Sequence, residues 1–250
     1  MEIIYQPKGK AREYSPWTAN FYNGCSNRCD YCYNRHCPAK DLLGKDEPTL
    51  KKALVTTGHA YDVFCKELDN VKERIIEDGG LHFNFVSDPC LPETWELNWD
   101  CIQYALSEGV PCQLLTKRAE VADYLSDLEQ VTLRQCQHLL KVGFTLTMRD
   151  DLEPYASPNM KRIDAMKRIH EYGIDTWASI EPVIDPACSY VMISKAWNYC
   201  NEFRIGLLSG KKSYKPDDIR CFVEEINSLN KDNEKTIIWK ESVLKFIEKD

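Results

Sequence analysis

The stretch WTANFYNGCSNRCDYC, residues 17–32, joins a strand-like segment to a loop that carries three cysteines. We interpret Trp17 to Gly24 as a strand, and the next helix runs from about Tyr61 to Asp78. Its apolar stripe consists of Phe64, Leu68, Val71 and Ile75. The connection between strand and helix, residues 25–60, is unusually long, and long connections in compact α/β domains are usually functional.

Further strand-like runs recur from residue 81 onward, and each is followed by a helix-length amphipathic segment. They begin near Leu81, Pro111, Val142, Ile174 and Phe203, at intervals of 29 to 32 residues. Each interval has room for one strand, one helix and two short connections. With the first strand included, the pattern predicts six right-handed βα units. We therefore predict an α/β fold, a partial (β/α)6 barrel of the TIM type, with a doubly wound sheet as the alternative.

The chain has 250 residues and a formal net charge of −7, from 32 Lys and Arg against 39 Asp and Glu. This length suits a single domain, residues 1–250, with the cysteine loop at 25–37, βα units to about residue 231 and a C-terminal helix at 240–248. The acidic balance argues against a protein that coats nucleic acid nonspecifically. No apolar run reaches the roughly 18 residues of a membrane helix, and the first residues lack the regions of a signal peptide. We expect a cytoplasmic protein.

Cys25, Cys29 and Cys32 form a C-x3-C-x2-C pattern directly after the first predicted strand. Three thiolates from one short loop can bind three irons of a 4Fe-4S cluster and leave the fourth iron without a protein ligand. An open metal position is typical of a catalytic site. Zinc is the alternative, bound by the three cysteines with Cys37 or His36, although the sequence has no second cysteine pair at the usual zinc-binding spacing.

The cysteine pattern has an aromatic residue before its third cysteine and follows the first strand of a six-unit α/β chain. In these features it resembles the radical S-adenosylmethionine (SAM) superfamily. The resemblance implies that SAM binds the open iron, and that an electron from the 4Fe-4S cluster cleaves SAM to methionine and a 5′-deoxyadenosyl radical. It also implies that this radical abstracts hydrogen from a substrate, and that a reductant such as flavodoxin or ferredoxin supplies the electron.

Within the superfamily, residues 20–33, NFYNGCSNRCDYCY, resemble spore photoproduct lyase and its photolyase-like relatives, in which tyrosines flank the last cluster cysteine. The likeness continues in outline at Ser87-Asp88-Pro89, Thr116-Lys117 and Leu152-Glu153-Pro154. It implies a lyase or repair-like reaction on nucleic acid. One position departs from it. The lyase has a cysteine two residues before the serine, which returns hydrogen to the product, whereas this chain has Phe85, so the resemblance does not extend to thymine-dimer repair.

The ends of the predicted strands supply candidates for each part of SAM. By resemblance to the lyase group, Ser87 with Asp88 nearby replaces the Gly-Gly-Glu motif that binds the amino group in many radical SAM proteins. Lys117 is the point charge for the methionyl carboxylate, with a solvated surface lysine as the alternative. Tyr31, placed between two cluster ligands, is the candidate for contact with adenine.

Thr145 and Thr147 share one face of the fourth predicted strand and are candidates for ribose binding, although ordinary strand threonines would look the same. Glu181, at the end of the fifth predicted strand, is a candidate for contact with SAM or the substrate. Cys90 is a candidate thiol hydrogen donor, with a small apolar filler as the alternative. Tyr33 would be its relay partner in a lyase-like radical route.

The substrate stays open between a nucleic acid and a peptide or small molecule. Two interpretations without catalysis also remain. A binding module would use the thiolates with zinc or an iron–sulfur cluster only for folding, so a chelator would unfold it. A redox sensor would contain iron but would neither bind nor cleave SAM.

Overall fold

The computed structural model describes residues 2–210 and 214–248. Within these ranges the strands are β1 (Ile4–Tyr5), β2 (Trp17–Ala19), β3 (Tyr22–Asn23), β4 (Thr49–Leu50), β5 (Leu81–Phe83), β6 (Cys112–Thr116), β7 (Leu140–Thr145), β8 (Asp175–Val183), β9 (Glu202–Leu207) and β10 (Thr236–Trp239). The helices are α1 (Tyr33–His36), α2 (Lys40–Leu43), α3 (Thr57–Glu77), α4 (Trp95–Ser107), α5 (Val121–Ser126), α6 (Gln130–Leu139), α7 (Asn159–Glu171), α8 (Pro186–Ala196), α9 (Pro216–Leu229) and α10 (Glu241–Ile247). No helix in the described ranges combines the length and the apolar character that crossing a membrane requires.

Eight strands form one sheet in the order β1-β2-β5-β6-β7-β8-β9-β10. β1 is antiparallel to β2, and every other neighbouring pair in this sheet is parallel. The parallel strands follow one another in chain order with no reversal, whereas a doubly wound sheet reverses direction at a switch point. The predicted α/β fold of a partial TIM-type barrel is therefore confirmed. Its sheet stays open between β1 and β10 in the described residues.

The sheet contains seven parallel strands, one more than the six that the sequence predicted. The additional strand is β10, which pairs with β9 in the register Ile237 to Phe203. The βα units therefore continue past residue 231, and the predicted C-terminal helix at 240–248 is α10, which follows this last strand.

The prediction of one continuous strand from Trp17 to Gly24 was wrong. β2 ends at Ala19, and β3 pairs with β4 in a separate two-stranded sheet. Asn20 marks the division, because its side-chain oxygen accepts hydrogen bonds from the backbone N–H groups of Phe85 at 2.8 Å and Val86 at 3.0 Å. This contact attaches the end of β2 to the loop after β5.

Helices cover the outer face of the sheet. α3 begins four residues earlier than predicted, because the hydroxyl of Thr56 caps it by accepting a hydrogen bond from the backbone N–H of His59 at 3.1 Å. Of its predicted apolar stripe, Phe64, Leu68 and Ile75 are completely buried, and Val71 is partly buried against the same core. The stripe thus attaches α3 to the sheet at the end of the long cysteine-containing connection.

The N-terminal segment enters the barrel at the amino ends of the strands. The hydroxyl of Tyr14 lies 2.8 Å from Ser179 Oγ and donates to Glu181 Oε2 at 2.5 Å. Its carbonyl oxygen accepts a hydrogen bond from Arg204 Nη1 at 2.7 Å, and the Arg204 guanidinium lies 4.3 Å from the centre of a Trp177 ring. Tyr14, Trp177 and Arg204 thus fill the end of the barrel at the amino ends of the strands, its lower half, whereas the cysteine loop follows the carboxyl end of β2.

Candidate active site

The cysteine loop begins at Gly24, whose backbone has a φ of +86°. A Cβ atom at this position would overlap the carbonyl oxygen of Glu47, so glycine is required by both backbone conformation and space. The backbone N–H of Cys25 then donates to the carbonyl of Lys45 at 3.0 Å, and the N–H of Cys32 donates to that of Cys29 at 3.1 Å. The loop is thus held by its own turn and by the middle of the 25–60 connection.

Cys25, Cys29 and Cys32 are all free thiols. Burial raises the pKa of Cys25 to about 12, with further increases from the charges of Asp88 and Cys29. Burial also raises the pKa of Cys29. The charge of Lys117 acts to lower this pKa, and that of Cys32 acts to raise it further. The three thiols therefore lie close enough to influence one another electrostatically.

Whether these residues fit an iron–sulfur cluster depends on the donor set and its spread. In the described parts of the chain, no three His, Cys, Asp or Glu side chains converge as the ligands of one metal ion do. A 4Fe-4S cluster takes each cysteine on a different iron, so its ligands need not meet at one point. Three sulfur donors from one loop are the set that such clusters use. The cysteine loop fits the cluster on this ground.

Asp88 connects the cysteine loop to two strand ends. Its Oδ2 accepts hydrogen bonds from Asn27 Nδ2 at 2.8 Å and from the backbone N–H of Lys117 at 2.7 Å. Its Oδ1 accepts from Thr116 Oγ1 at 2.6 Å and from the backbone N–H of Cys90 at 3.0 Å. Both oxygens of the predicted SAM ligand are therefore occupied by donors of the protein itself.

Ser87 precedes this aspartate and differs from it. The Ser87 side chain is buried, and its Oγ has no hydrogen-bond partner among the described residues. The buried Oδ1 of Asn27 in the cysteine loop is also unpartnered there. Buried polar atoms are normally hydrogen-bonded, so each of these two atoms is free to bind a polar group of a ligand. A SAM amino group fits acceptors of this kind.

Tyr31 and Lys117, two of the predicted SAM-binding residues, lie together. The ammonium nitrogen of Lys117 is 5.6 Å from the centre of the Tyr31 ring. Burial acts to lower the pKa of Lys117, but the nearby charges of Cys29 and Glu153 outweigh it, and the pKa is raised. Lys117 is therefore a cation that an anionic group of a ligand can approach beside a flat aromatic surface.

No protein-family model matches the chain. Two curated proteins are similar in sequence. The uncharacterized protein MJ0683 of Methanocaldococcus jannaschii is 27% identical over 176 residues, which cover 67% of this chain and 60% of the relative. ORF301 of Acidianus two-tailed virus is 20% identical over 181 residues, which cover 68% of this chain and 56% of the relative. The match thus spans less than two thirds of the length of each.

Solved structures give a wider match. A double mutant of spore photoproduct lyase with bound AdoMet and dinucleoside spore photoproduct has a TM-score of 0.61 at 13% identity, over 85% of this chain and 61% of the lyase. SuiB of Streptococcus suis bound to the precursor peptide SuiA has a TM-score of 0.54 at 12% identity, over 85% of this chain and 45% of SuiB. Both are radical SAM enzymes. The chain has the radical SAM fold.

Glu181 lies inside the barrel of this radical SAM fold, where other groups of the chain already bind it. Its Oε2 accepts hydrogen bonds from Tyr14 at 2.5 Å and from Lys240 Nζ at 2.6 Å. The sequence predicted a contact with SAM or the substrate, which would have to use the remaining oxygen. Lys240 follows β10, the strand that the sequence analysis missed.

The predicted ribose-binding threonines do not share a strand face in the radical SAM fold. Thr145 is the last residue of β7, and Thr147 lies two residues beyond the strand. Both are buried. The backbone N–H of Thr147 donates to Asn159 Oδ1 at 2.8 Å, and its hydroxyl accepts from the backbone N–H of Arg149 at 3.2 Å. The hydroxyl of Thr147 is thus part of the turn that leads to α7.

The two residues predicted for hydrogen transfer lie in different surroundings. Cys90 has no exposed surface and belongs to the hydrophobic core, and burial raises its pKa well above the ordinary value. Tyr33 is 56% exposed, and its hydroxyl donates to the backbone carbonyl of Phe85. Cys90 is therefore a core residue and Tyr33 a surface residue, and their roles in hydrogen transfer stay predictions.

Glu153 is the functional candidate that the sequence analysis missed. The residue is only 2% exposed, and its two side-chain oxygens contact Tyr31 and Arg162. The one signal in the sequence was its place in the segment Leu152-Glu153-Pro154, which resembles the lyase group. The radical SAM fold brings this segment against the cysteine loop.

Proposed function

We propose that this chain is a radical SAM enzyme whose three loop cysteines bind a 4Fe-4S cluster and whose Ser87, Lys117 and Tyr31 bind SAM beside it. One observation carries the proposal. The thiols, the unpartnered Ser87 hydroxyl and the Lys117 ammonium all belong to segments that follow neighbouring strands β2, β5 and β6, and Asp88 ties these segments together. In barrels of this type, catalytic loops follow the carboxyl ends of the strands.

The cluster, held by Cys25, Cys29 and Cys32, would supply the electron for the cleavage of SAM, the chemistry that leads to hydrogen abstraction. The chain itself binds and orients the reactants. Lys117 neutralises the methionyl carboxylate as a point charge, Ser87 accepts a hydrogen bond from the amino group, and Tyr31 presents its ring to adenine. Because side chains fill the lower half of the barrel, water cannot reach the reacting groups from the amino ends of the strands.

A nucleic acid is the substrate class that the surface around the site favours. The Arg28 guanidinium lies 4.8 Å from the centre of the Tyr155 ring, and both Tyr155 and Tyr33 are 56% exposed. Arg28 is partly balanced by Asp46, 3.9 Å away. Exposed aromatic rings beside a cation are surfaces on which single-stranded nucleic acids stack. This feature makes an oligonucleotide the first substrate to test.

Anaerobic reconstitution with iron and sulfide, followed by reduction with dithionite in the presence of SAM, tests the proposal. We expect formation of 5′-deoxyadenosine. Cys29→Ala removes one of three cluster ligands, so we expect it to lower the yield by about a hundredfold or more. Cys221→Ala, at an exposed cysteine of α9, should leave the yield unchanged. Bound zinc, an iron protein inert to SAM, or full activity of Cys29→Ala would each contradict the proposal.

The same assay identifies the substrate class. Hydrogen abstraction from a deuterated substrate transfers deuterium into 5′-deoxyadenosine, which mass spectrometry detects. We expect this transfer from a deuterated single-stranded oligonucleotide. Transfer from a deuterated peptide or metabolite instead would retain the radical SAM chemistry and contradict the nucleic-acid assignment.

A further inference from the structure

A buried ion pair lies directly behind the cysteine loop. Arg162 Nη2 is 2.6 Å from Glu153 Oε2, and neither side chain has exposed surface. The other Arg162 donors are also used: Nε donates to the carbonyl of Ser157 at 2.6 Å, and Nη1 to that of Thr145 at 2.8 Å. Burial of two charges is costly, and an apolar pair of similar volume is often as stable. Stability alone therefore does not account for this ion pair, and we look for a role in where it holds its two side chains.

The second oxygen of Glu153 provides that geometry. Its Oε1 accepts a hydrogen bond from the hydroxyl of Tyr31, a residue 122 positions away in the sequence. Beside this contact, the backbone N–H of Asp30 donates to the carbonyl of Leu152 at 2.9 Å. Asp30 and Tyr31 are the only two residues between Cys29 and Cys32. Both residues that separate two of the cluster cysteines are thus attached to the Leu152–Glu153 segment.

The cation of the site lies against the same tyrosine. The Lys117 ammonium is 5.6 Å from the centre of the Tyr31 ring, whose hydroxyl donates to Glu153. The Glu153 carboxylate therefore contacts the hydroxyl of the ring assigned to adenine, and that ring lies beside the cation assigned to the methionyl group. Arg162 holds that carboxylate in place from the opposite side.

We infer that Glu153, fixed by Arg162, is a positioning residue that sets the place of Tyr31 and of the backbone between Cys29 and Cys32. It acts on the cluster and on SAM through these residues and touches neither of them. That these residues serve a SAM site rests on the proposed function, whereas the contacts of Glu153 are present in the protein without cofactors. The inference can therefore be tested both before and after reconstitution.

Two substitutions separate the parts of this arrangement. Tyr31→Phe removes only the hydroxyl and leaves the ion pair intact, and Glu153→Gln keeps the shape but removes the charge. In the reconstituted, reduced protein we expect each to weaken SAM binding by about tenfold or more, and to alter the EPR spectrum of the SAM-bound cluster, as loss of supporting contacts does at other metal sites. The double variant should lose less than the sum of the two single losses, because both substitutions act on the one contact between Tyr31 and Glu153.

Hydrogen–deuterium exchange of the full chain before reconstitution supplies a readout that does not depend on activity. We expect both variants to speed exchange of the backbone N–H groups at residues 29–32 by about tenfold or more. Asp151→Asn is the matched control, since Asp151 lies in the same loop and forms an exposed ion pair with Arg149 at 2.7 Å. It should change neither exchange at residues 29–32 nor SAM binding.

The outcomes distinguish the two levels of the proposal. Wild-type protein that takes up no cluster, or whose cluster ignores SAM, rejects the proposed function. The role of Glu153 is overturned if wild-type protein cleaves SAM and both variants match it in SAM affinity, in hydrogen exchange at residues 29–32 and in EPR spectrum. A lower melting temperature with unchanged SAM affinity and EPR spectrum would show a merely structural role and would also overturn it. If Glu153→Gln does not fold, Tyr31→Phe decides.

Discussion

The carboxylate of Asp88 joins three segments that are far apart in the sequence. Its donors come from the cysteine loop, from the loop after β5 and from the end of β6. A carboxylate suits this place because it accepts hydrogen bonds at both oxygens and donates none. Asp88 therefore decides how the cysteine loop lies against the strands, even though its oxygens are unavailable to SAM.

Asp88→Asn tests this assignment. The amide has one accepting oxygen and turns an NH2 group toward two of the donors, so we expect the free energy of unfolding to fall by about 2–4 kcal/mol. Urea denaturation of the protein before reconstitution measures the change. Asp62→Asn, at an exposed position of α3, should shift it by no more than about 0.5 kcal/mol. Equal losses in the two variants would contradict the role of Asp88.

At the scale of elements, a glycine in β7 leaves space for a large side chain of the neighbouring strand β8. A Cβ atom on Gly143 of β7 would overlap the indole ring of Trp177, which lies beside it in β8. The missing side chain makes room for Trp177 inside the barrel. Gly143 thus allows two neighbouring strands to carry one large ring between them.

We expect Gly143→Ala to lower the free energy of unfolding by about 1–3 kcal/mol, the usual cost of overpacking a filled interior. The comparison is Gly58→Ala in α3, where an added Cβ meets no atom within 4 Å. That change should raise stability by about 0.5–1 kcal/mol, since alanine favours the helix. Thermal denaturation of both variants measures the direction of each stability change. A stabilising Gly143→Ala would contradict the close packing of Trp177 on Gly143.

The elements that could be predicted are those whose pattern is local. β5 to β9 begin within about two residues of the predicted positions, because each is an apolar run that a helix-length segment follows. β10 could not be found in this way, since Thr236–Trp239 has only four residues and none of them is fully buried. Its place depends on pairing with β9. The break after β2 likewise depends on Asn20 bonding to a loop more than sixty residues away.

The same distinction applies to the site. The cysteine loop could be predicted as a candidate site, because three cysteines in eight positions form a pattern typical of iron–sulfur ligands. Glu153 could not, because a glutamate is ordinarily exposed, and its burial depends on Arg162 in α7 and on Tyr31 far back in the chain. Glu181 was predicted to contact SAM or the substrate, and its partner Lys240 stands at the end of the unpredicted strand.

At the scale of the whole molecule, the barrel shields a titratable side chain from solvent. His82 on β5 is completely buried and stacks on Phe85 at 4.3 Å, and both of its ring nitrogens lack partners among the described residues. Tyr14 lies 6.2 Å away, ring centre to ring centre. Burial, together with the positive charges of Arg204 and Lys240, lowers the pKa of His82 to about 3. The folded barrel therefore keeps this histidine neutral.

This burial makes stability depend on pH in a definite direction. An unfolded chain binds a proton at His82 below about pH 6.5 and the folded chain does not, so stability is lost as the pH falls. Between pH 7.5 and pH 5 the loss from this residue should be about 2 kcal/mol. His82→Phe should remove that part of the pH dependence, and His138→Gln, at an exposed site, should retain it. Urea midpoints that fall equally in wild type and His82→Phe would contradict it.

The segment that holds Tyr14 has one more consequence. Because Tyr14, Trp177 and Arg204 fill its lower half, the barrel is closed at one end in the part of the chain that the structure describes. A long chain molecule cannot be drawn through it end to end. For the oligonucleotide proposed as substrate, we therefore expect one nucleotide at a time to enter the open end of the barrel, on the side of Arg28 and Tyr155. The strand would have to leave this end before a second nucleotide could enter.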